Sequence, residues 1–235
     1  MLSRRNGADE AASASRREAL YAAARAKADA SRPKFWATLK GDIRRHGGRF
    51  FQRSVIGLTV YRIGVWARTQ PGYIRVPVFK IYGIVDKLVR PITGIHMYCT
   101  VLAGDDLHLI HAEAPISIHP DAVIGDRVGI MHNVTIGETV ELEGVPIIGN
   151  DVFIGVGAVI LGPVIVGDGA RVAANSLVIT DIPPNCTAIG VPARAFPRLA
   201  PQGSKSKTEG EANAGSSPSK DDPLPAEAAG RAKIT

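Results

Sequence analysis

The sequence predicts an α+β protein in which an N-terminal α-helical cap precedes a parallel β-helix of hexapeptide repeats, and three observations carry that reading. First, an aliphatic residue returns every sixth position at Ile118, Ile124, Ile130, Ile136, Leu142, Ile148, Ile154, Ile160, Val166, Val172 and Val178. A period of six fits neither a helix at 3.6 nor a half-buried strand at 2, and it marks a solenoid of short strands and corners. Second, the position after the lead residue is often glycine (Gly125, Gly137, Gly149, Gly155, Gly167), and the fifth is small or β-branched (Val128, Val134, Val152, Ala158, Val164, Ala170). Glycine suits a corner that a side chain would crowd, and small inward residues let coils stack. Third, the preceding ninety residues are strong helix formers punctuated at Pro33, Gly47-Gly48 and Gln70-Pro71-Gly72.

Taken in order, residues 1–13 are small and polar and are expected to be disordered. Residues 14–93 read as the helical domain. Two helices from Ala14 to Arg45 meet near Ser31-Arg32-Pro33, the second starting at Lys34-Phe35-Trp36 and ending near Gly47-Gly48. Another runs from about Phe50 to Thr69 and a last one from about Val76 to Val89. Residues 94–197 read as the β-helix, with irregular coils up to Pro115 and a closing segment Ile189-Gly190-Val191-Pro192-Ala193-Arg194. From 198 to 235 the chain turns to Ser, Lys, Pro, Ala, Gly and Glu, a tail expected to be disordered because it has too few apolar residues to offset its ordering entropy.

Composition narrows the function classes. The 235 residues carry 28 Lys and Arg against 22 Asp and Glu, for a net charge of +6, with basic residues crowded into the first fifty positions. No aromatic interleaving or recognition motif accompanies them, so nucleic acid is not an expected partner. Cys99 and Cys186 form neither a disulfide framework nor a metal-ligand pattern, which points to a reducing, cytoplasmic setting and no metal. The longest apolar stretches, Ser54 to Ala67 and Val76 to Val89, are broken by Arg62, Lys80, Asp86 and Lys87, so no membrane span is expected.

Fold alone does not give function. The groups near the repeats suited to proton transfer at neutral pH are His96, His108, His111, His119 and His132. His111 precedes the regular coils in Leu109-Ile110-His111-Ala112-Glu113, and His132 sits in Ile130-Met131-His132-Asn133-Val134. From spacing alone each reads equally as an exposed solenoid residue.

The Phe35-Trp36-Ala37-Thr38-Leu39-Lys40-Gly41-Asp42 segment, the His111 turn, Asn133-Val134-Thr135-Ile136-Gly137, Pro146-Ile147-Ile148-Gly149 and Gly190-Val191-Pro192-Ala193-Arg194 together resemble the serine O-acetyltransferase group of hexapeptide acyltransferases, over roughly residues 34–197. The resemblance implies a left-handed β-helix, a homotrimer or dimer of trimers, and transfer of an acetyl group from acetyl-CoA to the hydroxyl of L-serine in cysteine biosynthesis. It implies His111 as general base, with His132 as a second catalytic candidate. It also implies CoA lying over the small-residue hexads at Gly155, Gly157, Ala158, Ala173, Ala174 and Ser176, with Arg194 as a partner for a CoA phosphate. Several positions depart from the family pattern. The His111 turn is one residue longer, His96 stands where a supporting carboxylate is expected, and Val145 stands where a second active-site histidine is expected. The Lys233-Ile234-Thr235 end differs from the family's sulfhydrylase-docking tail, which ends in isoleucine and so argues against that partner. Acetyl transfer to a sugar of an exopolysaccharide or its precursor is the alternative activity, and there the basic cap would suit peripheral contact with a membrane surface. A catalytically silent scaffold is the third reading.

Overall fold

The computed structural model describes residues 34–110, 114–140 and 144–198, together with 15, 16, 18–20, 22, 23 and 26. The expectations for residues 1–13, for the tail beyond Arg198, for His111 and for the Leu142 hexad lie outside the described residues.

The described residues among 15–26 are helical, and three helices follow: α1 (Phe35–Arg45), α2 (Arg53–Arg68) and α3 (Gly72–Thr93). The first stops at Gly47 and Gly48, whose φ angles of 72° and 73° are the left-handed conformation that ends a helix and that glycine adopts without strain. Helix α3 is longer at both ends than the sequence predicts. It begins directly after Pro71, whose extended backbone suits the N-cap, and runs to Gly94 in the left-handed conformation, whose N–H bonds to the Arg90 carbonyl. Pro77 is tolerated because it sits near the start of the helix on the exposed side, where water can reach the carbonyl that its ring leaves without a donor.

The remaining strands wind into three parallel sheets. One contains β1 (Ile95–Met97), β4 (Ile116–Ile118), β7 (Thr135–Gly137), β10 (Val159–Leu161) and β13 (Leu177–Val178). A second contains β2 (Leu102–Ala103), β5 (Val123–Ile124), β8 (Ile147–Ile148) and β11 (Ile165–Val166). The third contains β3 (His108–Ile110), β6 (Gly129–Met131), β9 (Phe153–Ile154), β12 (Arg171–Val172) and β14 (Cys186–Gly190), to which β15 (Ala193–Pro197) adds an antiparallel edge. All ten described lead residues of the hexads are at most 2% exposed, forming one apolar column that continues into Leu58 and Tyr61 of α2.

The coils are not of equal length. Ser117 pairs with Thr135 and Val159 with Leu177, a rise of 18 residues, but His108 pairs with Gly129, 21 positions on, and Thr135 with Val159, 24 positions on. Three extra residues therefore enter between β3 and β4, and six between β7 and β8. An insertion of six residues keeps the lead positions on either side in phase, and Val140 within it is fully exposed.

The open end of the first coil has no preceding coil to pair with, and the helices supply its partners. Tyr61 Oη donates to the Val101 carbonyl at 2.9 Å, and Arg62 donates to the carbonyls of Ala103 and Gly104 at 3.1 and 2.6 Å. Asp42 Oδ1 accepts from the Leu107 N–H at 2.9 Å, and His46 Nε2 accepts from the Leu109 N–H at 3.1 Å while its Nδ1 donates to the Asp42 carbonyl. Asp42 and Arg62 are themselves bonded, at 2.8 and 3.3 Å, with both side chains buried. Burial pushes the Asp42 carboxyl above the usual carboxylate range, against the pull of the Arg62 guanidinium. The hairpin of β14 and β15 closes the other end of the third sheet, so its edge is likewise covered.

Charge divides the same way. Residues 34–93 hold 12 Lys and Arg against Asp42 and Asp86, whereas residues 94–198 hold 4 arginines, no lysine and 11 acidic residues.

Candidate functional site

The corner between the third and first sheets is where the candidate residues gather. His132 follows directly on β6, and its carbonyl accepts the Gly157 N–H at 3.2 Å. One coil further, the Asn175 N–H donates to the Val156 carbonyl at 2.8 Å. Asn133, Gly157 and Asn175 stack in register with φ angles of 60°, 67° and 55°. A parallel ladder of left-handed residues, Asp106, Arg127, Asp151, Gly169 and Asn185, lies at the next corner. Most members of both ladders stand three positions after a lead residue, and Asn, Asp and Gly recur there. Those are the residue types that visit this conformation at least cost. The sequence carries this signal in the recurrence of Asn, Asp and Gly at that spacing.

His132 is half-buried, and its Nδ1 is buried with no hydrogen-bond partner among the described residues. A histidine nitrogen left this way is costly unless another group completes it. The other described histidines have different surroundings. His96 is exposed on β1 opposite Ser117, and His108 stands edge-on to His46 with ring centroids 4.8 Å apart. His119 Nδ1 accepts the Asp121 N–H at 3.2 Å, and its Nε2 lies 3.7 Å from Glu138. His111 lies outside the described residues. Among the described residues no group of His, Cys, Asp and Glu is placed to hold a metal ion.

The residues expected to receive CoA share the His132 corner but divide into two sets. Gly155, Ala158 and Ser176 are buried in the stack. A Cβ on Gly155 would come within 2.7 Å of the Ala174 nitrogen, and one on Gly157 would meet Asn175 Oδ1. Coil stacking therefore explains both glycines. Ser176 Oγ accepts the Gly190 N–H at 3.2 Å and so ties the corner to the closing hairpin. Gly157 and Ala173 are half-buried, Ala174 is exposed, and Arg194 is exposed on β15 opposite Ile189. Val145 is a buried aliphatic residue beside the inserted hexad and brings no proton-transfer group there.

Residues 146–180 match the family model described as bacterial transferase hexapeptide, six repeats. Among curated proteins, the chain is 38% identical over 114 residues to a serine acetyltransferase of Helicobacter pylori strain J99, covering 48% of this chain and 66% of that one. It is 32% identical over 143 residues to a serine acetyltransferase of Synechococcus elongatus, covering 60% of this chain and 56% of that one. The chain thus spans somewhat less than two thirds of the length of these relatives. Among solved structures, the serine acetyltransferase of Brucella abortus strain S19 in complex with coenzyme A superposes with a TM-score of 0.61 at 27% identity, covering 72% of this chain and 70% of that one. The likeness read from the sequence is borne out. The chain is serine O-acetyltransferase-like in sequence over about half its length, and its coils match the left-handed β-helix of the hexapeptide acyltransferases.

Proposed function

We propose that the chain is an acetyl-CoA-dependent O-acetyltransferase with L-serine as acceptor, acting as a homotrimer or dimer of trimers in the cytoplasm. The likeness to serine acetyltransferases in sequence and fold is the observation that supports it most directly. The reaction needs a base to take the proton from the serine hydroxyl as its oxygen attacks the thioester carbonyl. The new C–O bond forms, the C–S bond of the tetrahedral intermediate breaks, and the proton goes to the leaving CoA sulfur. A histidine has the right proton affinity to act at both points. His132 and His111 are the residues we assign to this work. The exposed edge at Ala173 and Ala174, with the half-buried Gly157, is the small-residue surface we assign to the pantetheine arm, and Arg194 is the cation we assign to a CoA phosphate. The free cysteines Cys99 and Cys186 support a reducing setting.

Val145 favours a second reading. Where the resemblance places a second active-site histidine this chain buries an aliphatic side chain, so a larger acceptor such as a sugar hydroxyl of an exopolysaccharide precursor is the alternative. The test is CoA thiol release by the full chain with acetyl-CoA and either L-serine or nucleotide sugars. We expect serine-dependent release that falls at least about a hundredfold in His132→Ala or His111→Ala. CoA binding without serine-dependent release would overturn the serine reading in favour of the sugar one, and absence of CoA binding would overturn both.

A further inference from the structure

Helix α3 carries more apolar surface than its packing uses. Its inner side meets α2, where Tyr82 lies against Gly64, but its outer side presents Tyr73, Ile81, Ile84, Leu88 and Ile92, the last four each 62–65% or so exposed. At 100° per residue these five fall within one arc of the helix, continuous over a length of about 30 Å. Lys80 and Lys87, two turns apart, line one edge of the arc and both are exposed. The single acid of the helix, Asp86, is half-buried and paired with Arg90. Beyond the lysine edge, a groove of about 510 Å³ between the end of α2 and the start of α3 is lined by Arg68, Arg75, Val76 and Phe79, two guanidinium groups beside two apolar side chains.

We propose that this face docks the protein on an anionic lipid bilayer, with α3 lying in the interface and the Arg68–Arg75 groove taking a lipid phosphate. An apolar arc with a cationic border and no free acid is the pattern of an in-plane amphipathic helix. No described helix is long and apolar enough to cross a membrane, so α3 lies on the bilayer and does not span it. Charge complementarity argues for a lipid surface over the cap of a second copy. Residues 34–93 of the cap hold 12 basic residues against 2 acidic ones, so pairing two caps brings like charge together, whereas an anionic surface complements it. The inference stands whichever acceptor the β-helix serves.

Sedimentation of the full chain with vesicles tests it, using equal parts phosphatidylglycerol and phosphatidylcholine against phosphatidylcholine alone. Ile84→Ser with Leu88→Ser, and separately Lys80→Glu with Lys87→Glu, replace exposed side chains, and unchanged circular-dichroism melts establish that both variants fold. Either pair is expected to lower binding to the anionic vesicles at least about tenfold, and added salt to weaken binding of the parent chain. Equal sedimentation with neutral vesicles, none with either kind, or binding indifferent to both variants would overturn the proposal. So would a drop in oligomeric mass in Ile84→Ser/Leu88→Ser measured without lipid, which would identify the face as a contact between copies.

Discussion

The β-helix buries its apolar residues by repetition, each coil covering the next, whereas the helical cap buries its own through contacts that occur once. In the β-helix every described lead residue is enclosed, residues 94–198 are net acidic, and exposed large apolar side chains such as Val140, Val191 and Phe196 sit at the insertion and the closing hairpin. In the cap, the α1–α2 side is held by the Asp42–Arg62 pair and His46, while the outer face of α3 is left apolar and bordered by lysines. A solenoid coil has a template in its neighbour, so stacking consumes its hydrophobicity. A helix that is apolar on two sides needs a second surface, and the difference between the regions separates what holds this chain together from what it offers to something else.

The sharpest way to break the comparison is at the junction. Arg62→Met leaves the Asp42 carboxylate buried without its partner and takes the donors from the Ala103 and Gly104 carbonyls. Removing one member of a buried pair costs about 3–5 kcal/mol, and urea unfolding should show a loss of that order. The double variant Asp42→Leu/Arg62→Met should recover little of it, because the Leu107 N–H and the two carbonyls still lack partners. Full recovery would mean that the pair only neutralises itself and does not terminate the β-helix.

A glycine from each region gives the next, smaller effect, with opposite signs. Gly157→Ala forces a Cβ toward Asn175 Oδ1 at a left-handed position, and it should cost about 1–2 kcal/mol. Gly83→Ala, inside α3 with nothing within 4 Å of the added methyl, should gain about 0.5–1 kcal/mol from better helix propensity. Thermal melts of the two variants compare them directly. Equal destabilisation by both would show that α3 packs more tightly than the structure indicates.

The period of six made the prism legible because a buried lead residue has no other way to recur at that spacing, and the helix breaks at Gly47-Gly48 and Pro71-Gly72 are equally local. What the period could not reveal is the inserted hexad between β7 and β8. Six extra residues restore the phase, so a loop and a coil look alike in one dimension. The site was legible as a set of residue types and not as burial. Gly155 and Gly157 fit the expected CoA track by size, yet a Cβ on either would meet the adjacent coil, and Ala158 and Ser176 are buried. The junction was missed because Asp42, His46 and Arg62 are scattered over two helices, and only the fold brings them to the first coil.

The smallest effect concerns the one ladder position that breaks the residue pattern. Arg127 holds a left-handed φ of 55° where Asp106, Asp151, Gly169 and Asn185 are types that adopt it more readily. Its guanidinium bonds both Asp151 oxygens, at 2.7 and 2.5 Å, and the hydrogen bond to Arg127 lowers the Asp151 carboxyl below its usual range. A carboxylate depressed in the folded state adds stability above its unfolded pKa and loses it as pH falls through the folded one, so any benefit of the pair should vanish on acidification. Both side chains are exposed, and such pairs contribute little. Asp151→Asn should therefore shift the melting temperature by less than about 2 °C at neutral pH and by nothing in acid. Arg127→Gly should raise it, because glycine adopts the left-handed conformation freely. If Arg127→Gly instead lowers the melting temperature at neutral pH and that loss disappears in acid, the ion pair outweighs the backbone strain, and this corner of the β-helix, like the junction with the cap, is held by a side-chain contact as well as by repetition.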